Sequence, residues 1–193
     1  MKIRKKNRMK GFDYTSDNLY FVTSCVKNND CCLGRVIPVG TGHDLSVQNS
    51  QNQNPDYQLP KKHLQLKSSE INYVVELNQY GLIVDAKIKW LKDQYPYVDI
   101  HNYIVMPNHF HLILGIDRQK DGQNSLKIKS LSSLIGALKS TSSSEIHNAG
   151  YKRFAWHRSF HDHIIRDENA YYNIFNYISN NPDNWFKDKF YTI

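Results

Sequence analysis

Residues 103–114 read Tyr-Ile-Val-Met-Pro-Asn-His-Phe-His-Leu-Ile-Leu, the longest strand-like stretch of the chain. Side chains two positions apart on a β-strand point to the same face of the sheet. His109 and His111 are therefore expected side by side on one face, while Phe110 and the leucines after it point to an apolar core on the other. Two imidazoles held together on a rigid strand suit two ligands of one metal ion.

Length and composition limit the class of protein. The 193 residues fit one domain, 1–193, that is large enough to bury a core, and 40% hydrophobic residues argue against a disordered chain. Lys and Arg number 25 against 18 Asp and Glu, and the net charge of +7 favours a polyanionic partner such as nucleic acid. Residues 1–10 form a basic N-terminal segment, for which a solvated tail is an equal alternative.

The sequence gives no sign of export or of a membrane span. No stretch approaches the roughly 20 apolar residues that cross a bilayer, and the basic start is not followed by an apolar region. We therefore expect a cytoplasmic protein with no membrane partner. Cys25, Cys31 and Cys32 lack the CxxC pairs of a zinc site, so reduced thiols are expected.

The order of elements predicts an α+β domain with a mainly antiparallel sheet covered by helices. Strands are predicted at 19–26, 71–77, 98–106, 109–116 and 154–165. Helices are predicted from an N-cap at Asn78 to about 94, from 131 onward, and from an N-cap at Asp167 to a stop at 180–182. A segment at about 38–69, rich in Gln, Asn, Gly and Pro, is predicted to be a loop or insertion.

Two helices carry apolar positions at helical spacing. In the first helix these positions are Ile83, Ala86, Lys87, Trp90 and Leu91, with Gly81 as a weakness near its start. In the last helix they are Tyr171, Ile174, Phe175 and Ile178. Tyr177 and Asn181 lie four residues apart and flank this second stripe, so they are expected at the edge of the helix–sheet interface.

Two imidazoles and one amide oxygen make an incomplete ligand set, which leaves positions open for a phosphate oxygen and water. Nitrogen and oxygen ligands without thiolate are compatible with Mg²⁺ or Mn²⁺, although imidazole would also accept zinc or nickel. A free phenol has a pKa of about 10 and attacks poorly at neutral pH. Attack by Tyr177 therefore needs metal polarisation, a nearby base, or both.

The chain resembles the single-tyrosine HUH transposases, of the insertion-sequence and REP-associated tyrosine transposase type. Four stretches carry the resemblance. They are Tyr-Phe-Val-Thr at 20–23, Val-Met-Pro-Asn-His-Phe-His-Leu at 105–112, Trp-His-Arg-Ser-Phe-His-Asp-His-Ile-Ile-Arg at 156–166, and Tyr-Ile-Ser-Asn-Asn-Pro at 177–182. In order and spacing these stretches cover most of the chain outside 38–69.

The resemblance implies a ferredoxin-like or RRM-like sheet and an enzyme of DNA transposition and recombination. Such an enzyme cleaves and rejoins single-stranded DNA through a covalent 5′-phosphotyrosine intermediate. The implied nucleophile is Tyr177, and the implied ligands of Mg²⁺ or Mn²⁺ are His109, His111 and, as the third, Asn181. Some members use a Gln as third ligand, and Asn is shorter. The implied partner is single-stranded or hairpin DNA, bound by a monomer or a homodimer.

Several other residues are candidates for DNA or supporting contacts: His163, Arg166, Arg158 and Trp156. For Trp156, burial in the apolar core is the alternative to a DNA contact. His161 and His163 form a second HxH pair, which is an alternative metal pair in a more polar stretch. Tyr171 or Tyr172 would be the nucleophile if the register of the last helix were different.

Two other functions stay open on sequence grounds. One is a non-catalytic, RRM-like nucleic-acid-binding module, and the other is a metal-dependent nuclease that uses water as nucleophile. Replication initiators and relaxases of the wider HUH group are usually larger. The site forms within one chain only if the last helix packs against the strand that carries His109 and His111.

Overall fold

The computed structural model describes residues 9, 11–39, 72–121 and 127–191. Its strands are β1 (Asn18–Cys25), β2 (Gly34–Val39), β3 (Asn72–Leu77), β4 (Val98–Val105), β5 (His109–Ile116) and β6 (His161–Ile165). Its helices are α1 (Gln79–Gln94), α2 (Leu131–Asn148), α3 (Glu168–Ser179) and the short α4 (Asn181–Asn184). None of the helices in this part of the chain has the length and apolar character needed to cross a bilayer.

The main sheet has four strands in the order β4-β5-β1-β6, and every pair is antiparallel. Along the chain these strands alternate with two helices as β1-α1-β4-β5-α2-β6. This is the βαββαβ pattern of ferredoxin-like folds. The predicted α+β class with a mainly antiparallel sheet is confirmed.

Helices cover both faces of this sheet. Phe110, Leu112 and Leu114 lie on the face covered by α1 and α2, where most of the core is buried. The opposite face is covered by α3, where Ile113 and Ile178 anchor a smaller apolar cluster. The alternation predicted for the histidine strand is therefore correct, and its second face lies under the last helix.

Two helix starts are fixed by the side chains that the sequence predicts. The Asn78 side chain accepts hydrogen bonds from the backbone N–H groups of Tyr80 and Gly81, and Asp167 accepts one from Ala170. The predicted apolar face of α1 is offset, because Val84, Ile88 and Leu91 are buried whereas Ala86 is exposed. This face is selected by packing of α1 against α2 and β4. The helix propensities of the single residues carry no information about those contacts.

The predicted strand at 154–165 is wrong in its first half. Only His161–Ile165 is a strand, and Trp156 makes a single bridge to Val26. Phe154 and Trp156 are nevertheless buried, so their aromatic character reflects core packing of an irregular segment.

A strand at Gly34–Val39 is absent from the prediction. It pairs with Asn72–Leu77 in a separate two-stranded sheet. The predicted loop at about 38–69 lies outside the described residues except for Pro38 and Val39, which end β2. The basic segment 1–10 also lies outside them, apart from Met9.

Gly81 is a close-packing position and not a weakness of α1. A Cβ added there would lie 2.0 Å from the carbonyl oxygen of Leu33, a backbone atom that cannot move aside cheaply. Gly136 in α2 has no atom within 4 Å of the corresponding point. The two glycines therefore form a matched pair.

We expect Gly81→Ala to lower the free energy of unfolding by about 1–3 kcal/mol, because overpacking forces the backbone apart. Gly136→Ala should raise it by up to about 1 kcal/mol, because alanine is the better helix former. Urea unfolding of both variants measures the difference. Equal effects of the two substitutions would contradict the close contact.

Candidate functional site

The two histidines of β5 face each other beneath α3. Their Nε2 atoms lie 3.1 Å apart, and both side chains are buried. Two unprotonated ring nitrogens at this distance repel each other, so a proton or a cation must lie between them. In a neutral pair one ring meets this need by donating its Nε2–H to the other, and a metal ion can take the place of that proton.

Asn108 orients the first of these rings. Its Oδ1 lies 2.8 Å from Nδ1 of His109, while its Nδ2 donates to the carbonyl oxygens of Asn29 and Phe190. Because the amide nitrogen is used by those two carbonyls, Oδ1 is the acceptor and His109 Nδ1 carries the proton. The Nε2 lone pair of neutral His109 then points into the site, as a metal ligand requires.

Thr23 plays the same part for the second ring. It lies opposite His111 in the β1–β5 register, and its hydroxyl is 2.8 Å from His111 Nδ1. The hydroxyl can accept the Nδ1 proton, which leaves Nε2 of His111 free to face His109. Both imidazoles are thus held from behind by polar groups of the sheet.

Burial keeps both histidines neutral. It lowers the pKa of both imidazoles, and the charge of Lys189 acts in the same direction on each, whereas the Asp188 carboxylate opposes the shift at His109. The rings of Phe190 and Trp185 lie 4.7 Å and 6.0 Å from the His109 ring and help to exclude water. Neutral imidazole is the form that binds metals.

Tyr177 reaches this pair from the last full turn of α3. Its hydroxyl lies 3.3 Å from His111 Nε2, and its side chain is 41% exposed, so a large substrate can approach it. Burial raises the pKa of the Tyr177 phenol, and the nearby Asp188 charge raises it further, whereas the Asn181 amide acts in the opposite direction. The phenol is therefore protonated at neutral pH.

Asn181 begins α4, directly after α3 ends, and it is fully buried. Neither the oxygen nor the nitrogen of its amide meets hydrogen-bond geometry with any described residue, although the amide lies near enough to the Tyr177 phenol to lower its pKa. A buried polar group left without a partner costs about 1–3 kcal/mol. An amide in this state fits the part of a ligand for a cation.

Asp188 belongs to the site although the sequence analysis does not find it. A group of three side chains offers one ligand atom each: His109, His111 and Asp188. These three atoms lie within 4.8 Å of one another, so the group can hold a metal ion. The carboxylate also accepts a hydrogen bond from the Phe190 N–H. Asp188 follows the helical turn Trp185–Lys187 and belongs to no periodic pattern, so spacing carries no signal for it.

The other predicted contacts lie apart from the histidine pair. Trp156 is a core residue whose indole N–H donates to Ser142 Oγ at 3.0 Å. His163 and Arg166 line a cleft of about 390 Å³ beside β6 and the start of α3. Arg158 is exposed, and its carbonyl lies 3.5 Å from the amine of Lys139.

The second HxH pair and the neighbouring tyrosines occupy different places. His161 lies opposite Thr23 on β1, which itself lies opposite His111, so these three residues form one row across the sheet. Neither His161 nor His163 joins a metal-binding group among the described residues. Tyr171 is half-buried with its hydroxyl 3.4 Å from His101, and Tyr172 is exposed.

Comparison with curated proteins finds a relative along nearly the whole chain. A protein of Haemophilus influenzae without an assigned function is 27% identical in an alignment of 201 positions, which covers 97% of this chain and 93% of the relative. No family model matches the sequence.

Two solved structures are similar to this fold. One is a REP-associated tyrosine transposase bound to a REP hairpin, with 20% identity and a TM-score of 0.48 over 95% of this chain and 73% of that one. The other is a transposase candidate from Deinococcus radiodurans, with 15% identity and a TM-score of 0.41 over 90% and 95% of the two chains. With TM-scores below 0.5, this likeness alone establishes no activity.

The chain resembles single-tyrosine HUH transposases. That resemblance rests on four stretches of sequence, two of which carry the histidine pair, Tyr177 and Asn181. The site described above is built from the same residues, with Asp188 added.

The neutral histidines predict a loss of stability in mild acid. The unfolded chain binds protons at its histidines near pH 6.5, whereas folded His109 and His111 do so only at lower pH. The unfolded state therefore binds more protons, and the free energy of unfolding should fall between pH 7 and pH 5. The slope should reach about 1.4 kcal/mol per pH unit for each histidine that stays neutral.

Urea unfolding across this pH range measures the slope. A His109→Gln/His111→Gln double variant supplies the control, because glutamine cannot take up a proton, and its slope should be shallower. Equal slopes for the two proteins would contradict the assignment of the loss to these two histidines.

Proposed function

We propose that this chain is a transposase-type DNA strand transferase that cuts and rejoins single-stranded or hairpin DNA through Tyr177. The observation that carries the proposal is the 3.3 Å distance between the Tyr177 hydroxyl and His111 Nε2. It brings a nucleophile to a histidine pair suited to a metal ion within a single chain. The resemblance to HUH transposases and the net charge of +7 support the same function.

In the proposed reaction, the Tyr177 oxygen attacks the scissile phosphorus and the bond from phosphorus to the 3′ oxygen breaks. The 5′ end stays attached to the tyrosine as a phosphodiester, and the 3′ oxygen leaves as a hydroxyl after taking up a proton from solvent, which balances the proton that the phenol gives up. One diester replaces another, so a 3′-hydroxyl can later reverse the step without a nucleotide cofactor. This is covalent catalysis by an activated nucleophile.

Asp188 is the proposed acceptor of the phenol proton. The Tyr177 phenol is protonated at neutral pH, so attack requires a base. His111 Nε2 cannot serve once it ligates a metal ion, because its lone pair is then occupied. The Asp188 carboxylate is close enough to raise the pKa of Tyr177 and is half-buried beside the pair.

The residues that would hold Mg²⁺ or Mn²⁺ are His109, His111 and Asn181. The buried, unpartnered amide of Asn181 fits an oxygen ligand, and the inward Nε2 atoms fit two nitrogen ligands. Asp188 could also complete this group, since its carboxylate lies within the same small volume. When bound, such an ion polarises the scissile phosphate and offsets the charge that develops on it.

The nucleophile is tested with hairpin-bearing single-stranded DNA and Mn²⁺, followed by a denaturing gel. The wild-type protein should form a covalent protein–DNA adduct, and Tyr177→Phe should reduce it to background because the attacking oxygen is gone. Tyr172→Phe, on the same helix and exposed, should leave the adduct unchanged. An adduct that survives Tyr177→Phe would refute the assignment, and DNA binding without any adduct would favour the binding-module alternative.

Two further substitutions distinguish the proposed third ligand, Asn181, from the proposed base, Asp188. Asn181→Ala should weaken Mn²⁺ binding at least about tenfold, measured by calorimetry. Asp188→Asn keeps the size of the side chain but removes a base, so it should slow adduct formation by about 10²–10⁴-fold and change Mn²⁺ affinity little. If Asp188→Asn weakens Mn²⁺ binding and Asn181→Ala does not, Asp188 is the ligand instead.

A further inference from the structure

Strand β4 contains an irregularity that changes which face its side chains point to. Ile100 pairs with Leu114, but Asn102 pairs with Ile113, so the register shifts by one residue between them. Leu114 faces the core under α1 and α2, whereas Ile113 faces α3. A β-bulge of this kind re-aims the side chains that follow it. As a result, Asn102 is turned toward α3.

Asn102 uses this orientation to hold α3 on both sides of the nucleophile. Its Nδ2 donates to the carbonyl oxygen of Phe175 and to the hydroxyl of Ser179, each at 3.0 Å. These two acceptors lie two residues before and two residues after Tyr177. The hydrogen bonds therefore bracket the residue whose position decides the chemistry.

The other polar contacts between α3 and the sheet are longer, 3.3 Å for Tyr177–His111 and 3.4 Å for Tyr171–His101, and the remaining contact is apolar. Ile178 packs on Ile113 and Ile165, with Phe175 and Phe21 beside them. Apolar contacts stabilise the helix without fixing its position along the sheet, because the hydrophobic effect is not directional. The hydrogen bonds donated by the Asn102 side-chain amide are directional, so they constrain sliding and rotation of the C-terminal end of α3.

We propose that Asn102 is a positioning residue for Tyr177. By tying the backbone of Phe175 and the side chain of Ser179 to the bulge in β4, it holds the phenol at His111 of the same chain. Displacements of about 1 Å can change rates by about 10²-fold, so this tie governs the chemical step more than substrate binding.

The test compares Asn102→Leu with Tyr103→Phe. Leucine has a similar size but donates no hydrogen bond. Tyr103→Phe removes a hydrogen bond from the next residue of the same strand, to Asp85 of α1 on the opposite face. Both substitutions lose a strand-to-helix bond, but only the first acts on α3. A merely structural role would therefore give the two variants similar effects.

The first measurement uses protein labelled with 3-fluorotyrosine, in which the Tyr177 signal is assigned from its absence in Tyr177→Phe. We expect the ¹⁹F signal of Tyr177 to shift in Asn102→Leu and to stay in place in Tyr103→Phe, with both proteins folded by circular dichroism. This measurement requires no activity, so its result stands even if the proposed function fails. An unmoved Tyr177 signal in Asn102→Leu would overturn the proposal.

The second measurement rests on the proposed function and uses single-turnover adduct formation at saturating DNA. Asn102→Leu should slow the step by at least about tenfold with DNA affinity within about twofold of wild type, whereas Tyr103→Phe should change neither. Asn102→Ala, which is smaller and also donates no hydrogen bond, replaces Asn102→Leu if the latter does not fold. Loss of DNA affinity with an unchanged rate at saturation would contradict a positioning role.

Discussion

Strand β5 is buried along its whole length, and this burial governs the arrangement around it. A buried strand that is apolar on both faces needs only packing, but β5 carries two imidazoles on the face under α3. Each polar ring nitrogen needs a hydrogen-bond partner, because burying it without one costs the folded state on the order of several kcal/mol. Thr23 and Asn108 satisfy the outer nitrogens. The two Nε2 atoms face each other, and this pair of ring nitrogens defines the site.

The same constraint explains why polar groups collect at this place. Tyr177, Asn181 and Asp188 come from three consecutive pieces of the C-terminal region, namely α3, α4 and the turn after them. Trp185 and Phe190 pack against His109 and bring this region down onto the sheet. Aromatic packing therefore places Asn181 and Asp188, the proposed ligand and base, while the sheet supplies the rigid half of the site.

Features set by near neighbours in sequence were predictable. Alternation along β5 correctly separated the histidine face from the core face, and Asn78 and Asp167 were correctly identified as N-caps. Features set by distant partners were not predictable. The β4 bulge depends on the register with β5, and β2 depends on a partner strand that begins at Asn72. Pro38 in β2 also resembles a loop signal, although a two-stranded sheet tolerates it at an edge.

The candidate site divides in the same way. The histidine pair follows from the period of the strand, and Tyr177 and Asn181 follow from their four-residue spacing and the resemblance, although Asn181 begins α4 and does not continue α3. Asp188 does not, because a turn held by aromatic contacts has no characteristic spacing. The irregular segment before β6 misled the strand prediction because Phe154 and Trp156 are buried without a ladder to hold them.

The pairing of β2 with β3 has a consequence for how the protein can change over evolution. The ladder runs from Gly34 opposite Leu77 to Val39 opposite Asn72, so it holds both ends of the intervening chain side by side. On the outer side, the Tyr73 N–H donates to Asp183, which ties the ladder to α4. Because loop-closure entropy grows only slowly with length, a clamped pair of ends tolerates insertion and deletion between them. The β2–β3 ladder thus separates the histidine pair from changes in the length of the chain between the two strands. New sequence can therefore be acquired between β2 and β3.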